Sequence, residues 1–264
     1  MKSLYRHEKL QFHMKKQPNY GFPFSSILIR MLMAILIVLF ISVLIFFHIS
    51  WYFIIFISFI IFPIYTFFGI ILFKRRFYEY RINIQKKMLS ILEISGNEIV
   101  IDLGSGAGAL VIAFAKSLHD GNVYGLDKYF HKENKIRTKI INFVRINYIG
   151  HTLKNAEKNA NIENVDTKCE FISGDFTRRL NFQDDYFDII SSFQSLHIVP
   201  TQKQIQVFQE IDRILKKGGK IVFFEPNKYL GWDVNDANNY FKNLGYIINI
   251  MQLKTRVIFF GKKL

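Results

Sequence analysis

The stretch Ile99-Val100-Ile101-Asp102-Leu103-Gly104-Ser105-Gly106-Ala107-Gly108 constrains this chain more than any other. A short β-branched run with little polar alternation reads as a buried parallel strand, covered on both faces. Glycines at 104, 106 and 108 follow at once. Glycine enters positive φ at little cost and lets backbone approach a ligand without a side-chain clash. Ala109 to Leu118 is then apolar at helical spacing. Strand, glycine turn and helix in that order put the free N–H groups of a helix N-terminus at a strand's carboxyl end, where anionic and polar ligand groups are favoured.

The same alternation continues to the end of the chain. A second strand spans Asn122 to Leu126 and ends on Asp127. Residues 131–160 are basic and mostly helical in pattern, with a break near Gly150. Strands follow at Lys168 to Ile172, closed by Gly174-Asp175, and at Phe187 to Ser191. An amphipathic helix from Pro200 to Leu215 runs into Lys216-Lys217-Gly218-Gly219, cations and glycines suited to a helix C-terminus. A fifth strand (Lys220 to Phe224), a helix (Asp233 to Leu244) and a hairpin (Tyr246 to Leu253, Arg256 to Gly261) complete the order. Strands alternating with helices imply an α/β, Rossmann-like, mostly parallel sheet, here with an antiparallel final strand.

Half of the 264 residues are hydrophobic although 35 are Lys or Arg, so the apolar residues must be concentrated somewhere. Residues 31–47 and 52–73 carry no charged side chain, and each run is long enough to cross a hydrocarbon core. The expectation is a transmembrane helical hairpin over 25–73, turning between His48 and Trp51, with Pro63 kinking its second helix. A basic N-terminal arm (1–24) precedes it and a basic connecting helix (74–96) follows, before a catalytic domain over 97–264. Residues 1–30 and 74–87 each carry a net charge of +5, which leaves +4 for the rest of the chain's +14. By the positive-inside tendency both flanks, both termini and the domain face the cytoplasm, and the cell membrane is itself a partner. Because the excess charge flanks the apolar block, a nucleic-acid partner is not expected. Cys169 is the only cysteine, which excludes an internal disulfide and argues against a thiolate metal site, so no metal is expected.

By spacing alone, Gly104-x-Gly106-x-x-Ala109 with Asp127 downstream also satisfies a dinucleotide fingerprint. Asp102 tilts the balance: a carboxylate at the loop mouth repels a pyrophosphate and suits an ammonium group. Gly174-Asp175 adds an acid that a dinucleotide site does not require.

Asp102 to Gly108 resembles motif I of class I S-adenosylmethionine-dependent methyltransferases. Asp127 matches that family's acid after strand two and Gly174-Asp175-Phe176 its acid after strand three. Phe187 to Ser192 matches its fourth strand, and Leu215 to Gly219 the turn before its fifth. The resemblance covers about 97–264 and points to the type 11 group. More narrowly, Tyr20-Gly21-Phe22-Pro23 before two apolar runs, and Leu196-His197 after strand four, are similar to membrane-anchored bacterial members. It implies S-adenosylmethionine as cofactor, with Gly104, Gly106 and Gly108 against its methionine portion. Asp102 and Ser105 belong to the same loop, Asp127 lies at the ribose with the cofactor-binding Lys128 beside it in the sequence, Asp175 and Phe176 lie at the adenine, and Ser192 near the sulfonium.

His197, just past strand four at the ligand-binding rim, is the one general-base candidate. Glu225 at the end of strand five is a second rim acid. Ser192-Phe193-Gln194-Ser195 stands where methyltransferases of amide or adenine nitrogens keep Asn-Pro-Pro-Tyr or Asp-Pro-Pro-Tyr. The expected acceptor is therefore a small or amphipathic, lipid- or quinone-like molecule. A catalytically inactive scaffold that binds the cofactor at a membrane and a nicotinamide oxidoreductase are the competing classes.

Overall fold

The computed structural model describes residues 34–39, 41–43, 51–129, 152–229 and 231–264, with the side chains of 51–58, 66, 70–71 and 73–74 outside the description. The described residues up to 84 form one compact unit, and those from 85 onward form the other.

In the first unit, 34–39 and 41–43 are helical, and helix α1 (Trp51–Ile91) begins. Sequence reading places a boundary near 73, between an apolar span and a basic connector. Instead α1 runs unbroken for 41 residues with Pro63 inside it, because the change from apolar to basic residues alters the solvent preference of the helix and not its backbone. Phe59, Ile60, Ile61, Ile64, Tyr65, Phe67, Phe68 and Leu72 are exposed along it. Among the described residues no helix is long and apolar enough to cross a membrane. The expected turn at 48–51 and most of the first apolar run lie outside the described residues.

The second unit is built on a seven-stranded sheet. Strand β1 (Ile99–Leu103) leads through the glycine turn into α2 (Ala109–Ser117) and β2 (Asn122–Asp127). Helix α3 (Leu153–Ile162) precedes β3 (Cys169–Ser173), and the expected helical stretch before 152 lies outside the described residues. Strand β4 (Phe187–Phe193), α4 (Thr201–Ile214) and β5 (Leu215–Pro226) follow. A two-stranded ribbon of β6 (Lys228–Tyr229) and β7 (Trp232–Asp233) leads to α5 (Val234–Asn243), β8 (Ile247–Leu253) and β9 (Arg256–Lys262).

The strand order is β3-β2-β1-β4-β5-β9-β8, and only β9 runs against its neighbours. This is the expected Rossmann-like class I methyltransferase arrangement. Lys216 to Gly219, expected as a turn, lie inside β5. Helix α4 stops at Ile214, and the register between β4 and β5 slips between Phe187 and Ile189, with Gly218 at φ +76°. The glycines thus serve a bulge that starts the strand early. Phe223 of β5 and Phe259 of β9 pack with Phe241 of α5 and Trp232 of β7, all fully buried, and the Phe223 and Phe259 rings stack at 5.9 Å. The strand order changes direction between β1 and β4, so the glycine turn lies at their carboxyl ends, the point where such sheets bind ligands.

Candidate functional site

Three glycines with φ of +79° (Gly104), +53° (Gly106) and +81° (Gly108) shape the turn between β1 and α2. L-residues rarely adopt that conformation. The N–H groups of Gly104 and Ser105 donate to the Leu126 carbonyl at 2.8 and 3.1 Å, and the Gly108 N–H to the Ser105 carbonyl at 2.9 Å. The buried Asn159 of α3 donates its amide to the Ala107 carbonyl at 2.9 Å. Ser105, expected at the cofactor, is itself buried, with its hydroxyl 3.0 Å from that of the buried Tyr129.

The acids divide by environment. Asp102 is 1% exposed and accepts the Ser191 hydroxyl at 2.9 Å. It is enclosed within β1, between β2 and β4, and not at the loop mouth as expected, because its register places it opposite Gly125 and Ser191 in mid-sheet. Asp127 stands at the end of β2, half-buried, and accepts the Gly106 N–H at 2.8 Å through Oδ2. Burial pushes its carboxyl above the usual range, against the opposing pull of the Gly106 and Lys128 N–H groups. Asp175 accepts both the N–H and the hydroxyl of Thr177 through Oδ1, at 3.0 and 2.7 Å. Its Oδ2 lies 2.7 Å from the Lys128 ammonium and 3.6 Å from Arg178. Burial raises this carboxyl, but Lys128 and Thr177 outweigh burial and hold it at about 2. Asp175, expected at the adenine, and Lys128, expected at the cofactor, form an ion pair bridging the ends of β3 and β2. Phe176 is half-buried and would lie 3.7 Å from a Cβ on Gly104.

Beyond β4 the chain turns at Gln194, a non-glycine residue at φ +58°. Such strained positions gather at functional sites. The turn lays Ser195 over the glycine loop: its hydroxyl donates to the Gly104 carbonyl at 3.1 Å, and a Cβ on Gly104 would meet its Oγ at 2.1 Å. A single 3₁₀ turn, Leu196–Ile198, follows. Glu225 of β5, fully buried, receives the Ser192 hydroxyl (3.2 Å) and the N–H groups of Ser195 (2.9 Å), Leu196 (2.9 Å) and His197 (3.4 Å). Its Oε2 is 2.7 Å from Nδ1 of His197. The His197 ring meets Tyr229 of the β6–β7 ribbon edge-on, 5.5 Å between centres. Ser192 is therefore a buried part of this network. Glu225 is a buried acceptor and not a free acid at the rim.

Sequence reading missed Ser195, Tyr129 and Asn159. Only Asn159 left a trace, as a polar residue on the buried face of an amphipathic helix. Among the described residues no cluster of His, Cys, Asp and Glu could hold a metal ion.

A family described as "Methyltransferase domain" matches residues 133–223, less than half of the chain. A protein of Lactobacillus johnsonii named demethylmenaquinone methyltransferase is 29% identical over 165 residues, 60% of this chain and 56% of its own. A Caenorhabditis elegans protein named sterol 4-C-methyltransferase is 28% identical over 102 residues, 38% of this chain and 29% of its own. The chain thus spans about half the length of the first relative and under a third of the second. In fold it is similar to a SAM-dependent methyltransferase from Aquifex aeolicus, with a TM-score of 0.51 and 14% identity, covering 68% of this chain and 89% of that one.

S-adenosylmethionine is the cofactor that the matched domain implies. The residues present fit it. Asp127 offers a half-buried carboxyl at the end of β2, and the positive-φ glycine turn offers close backbone approach beside α2.

Proposed function

We propose that the chain is an S-adenosylmethionine-dependent methyltransferase acting on a small lipophilic acceptor at a membrane. The observation that carries this reading is the Ser195–Gly104 contact, which sets the turn bearing His197 directly against the glycine loop. Donor and acceptor elements then share one opening of the sheet.

In this reading Gly104, Gly106 and Gly108 flank the methionine portion, Asp127 accepts the ribose hydroxyls, and Phe176 lies beside the adenine. When bound, the cofactor supplies an electrophilic methyl group on a sulfonium centre, a good leaving group. The chain's own contribution is chiefly positioning and exclusion of water. For an oxygen or carbon acceptor, His197 takes the proton from the acceptor atom. The relatives named for a menaquinone precursor and a sterol support a lipophilic acceptor, as do the exposed Ile198, next to His197 in the sequence, and the exposed Tyr229, whose ring packs on that of His197. Membrane attachment is supported by the uncharged runs 31–47 and 52–73 and by the exposed apolar side chains between Phe59 and Leu72. So many large apolar groups around one helix suit lipid better than water.

The test is transfer of radiolabelled methyl from S-adenosylmethionine by the full chain in detergent, offered demethylmenaquinol, a sterol and a total lipid extract. Label entering an organic-extractable product supports the reading. Cofactor binding with no transfer to any of the three would favour a non-catalytic scaffold.

A further inference from the structure

We propose that Glu225 is a positioning residue that fixes the tautomer of His197, so that Nδ1 carries the proton and Nε2 the lone pair. This rests on the reading of His197 as the proton acceptor.

Glu225 is fully buried at the carboxyl end of β5, yet every contact around its carboxyl group comes from a donor. Three backbone N–H groups, of Ser195, Leu196 and His197, can only donate, and the Ser192 hydroxyl is placed to donate as well. A carboxylate withdrawn from water is tolerated when its lone pairs are met in this way. The group facing Nδ1 at 2.7 Å is therefore an acceptor, and Nδ1 must be the donor. A neutral imidazole has one donor and one acceptor nitrogen, so the remaining lone pair belongs to Nε2.

The arrangement is stiff. The three N–H groups come from Ser195, which caps the 3₁₀ turn, and from Leu196 and His197 within it, so Glu225 sets the backbone of His197 and its ring together. The edge of Tyr229 packs on the ring. The His197 side chain is 16% exposed, which leaves a narrow approach to the ring from solvent. When Nε2 takes a proton, the cation forms against a carboxylate already in place, with no reorganisation required.

Glu225→Gln preserves shape and keeps one oxygen for the Ser195 and Leu196 N–H groups. Its amide would donate to Nδ1 and force the proton onto Nε2. The experiment is ¹⁵N NMR of the full chain in detergent, labelled at histidine, with His197 assigned by its loss in His197→Gln. The wild type should show the Nδ1–H tautomer, and Glu225→Gln should shift it to Nε2–H. Turnover should fall by about 10²- to 10⁴-fold, the usual contribution of a general base, with the KM for S-adenosylmethionine little changed. A wild-type Nε2–H tautomer overturns the proposal, and this measurement stands even if the variant does not fold. A folded Glu225→Gln with unchanged tautomer also overturns it. Full turnover in His197→Gln, with the Nδ1–H tautomer present in the wild type, overturns the base reading alone.

Discussion

Oδ2 of Asp127 accepts the N–H of Gly106 at 2.8 Å, joining the end of β2 to the middle of the glycine turn. The bond sets the height of the turn relative to the acid that would hold the ribose. Asp127→Asn should weaken S-adenosylmethionine binding about tenfold to a hundredfold, since hydrogen bonds to a charged group contribute about 1.5–3 kcal/mol. Calorimetric titration of wild type and variant checks this, and equal affinities would remove Asp127 from the site.

The same carboxyl predicts a pH dependence. Burial raises its pKa, so as pH falls it takes up a proton before an exposed acid would. Cofactor affinity should therefore drop on the acid side, above the ordinary carboxylate midpoint of about 4. Asp175 does not share this limb, because Lys128 and Thr177 hold it at about 2 and it stays ionised there. Dissociation constants should rise from about pH 7 to about pH 4 in the wild type and remain flat in Asp127→Asn. A limb that persists in the variant assigns it to another group.

Gly104 and Gly245 are a natural pair for testing the turn. Both have positive φ, +79° and +86°, but a Cβ meets Ser195 at 2.1 Å in the first case and nothing within 4 Å in the second. Gly245→Ala should cost only the left-handed penalty of about 1–2 kcal/mol. Gly104→Ala should cost more and also displace the Ser195 turn, lowering both stability and cofactor affinity. Urea unfolding of the two variants separates these effects, and equal losses would mean that the Ser195 contact is slack.

The connection between β3 and β4 hangs on Arg213. Its guanidinium donates to the carbonyls of Phe182 and Leu180 and pairs with Glu210, which in turn accepts the Leu180 N–H. The Arg213 side chain is 14% exposed and that of Glu210 11%, so removing one leaves the other buried and uncompensated. Arg213→Ala should destabilise by about 3–5 kcal/mol. The exposed Asp184, also bonded to Arg213, should matter little, at about 0–1 kcal/mol in Asp184→Ala. A denaturation midpoint for Arg213→Ala near that of the wild type would contradict the latch.

The proposed membrane attachment makes a prediction independent of the site. The full chain should sediment with membranes and resist alkaline carbonate. Replacing Phe67 and Phe68 with lysine should move it toward the soluble fraction. Release of the unsubstituted chain by carbonate would contradict insertion.

The order of strands and the glycine turn were legible because both rest on local rules. Apolar runs of five or six residues specify buried strands, and glycine adopts the φ values found at 104, 106 and 108 at little cost. Asp127 was legible for the same reason, as the residue that closes a strand. The Glu225 network was not, since Ser195 and Glu225 are 30 residues apart and meet only because β4 and β5 are paired. Asp175 shows the converse: motif position suggested an adenine contact, whereas Lys128 and Thr177 are near enough to engage its carboxylate. Lys216 to Gly219 suited a helix end by composition, but Leu215 and Lys220 on either side of them both pair with β4, which makes them a bulge within β5.

Titration of the full chain in detergent with S-adenosylmethionine, its demethylated product and NADH tests the central claim most directly. The account predicts saturable binding of the first two at one site, weakened together by Asp127→Asn, and no binding of NADH. Binding of NADH with none of S-adenosylmethionine would contradict it.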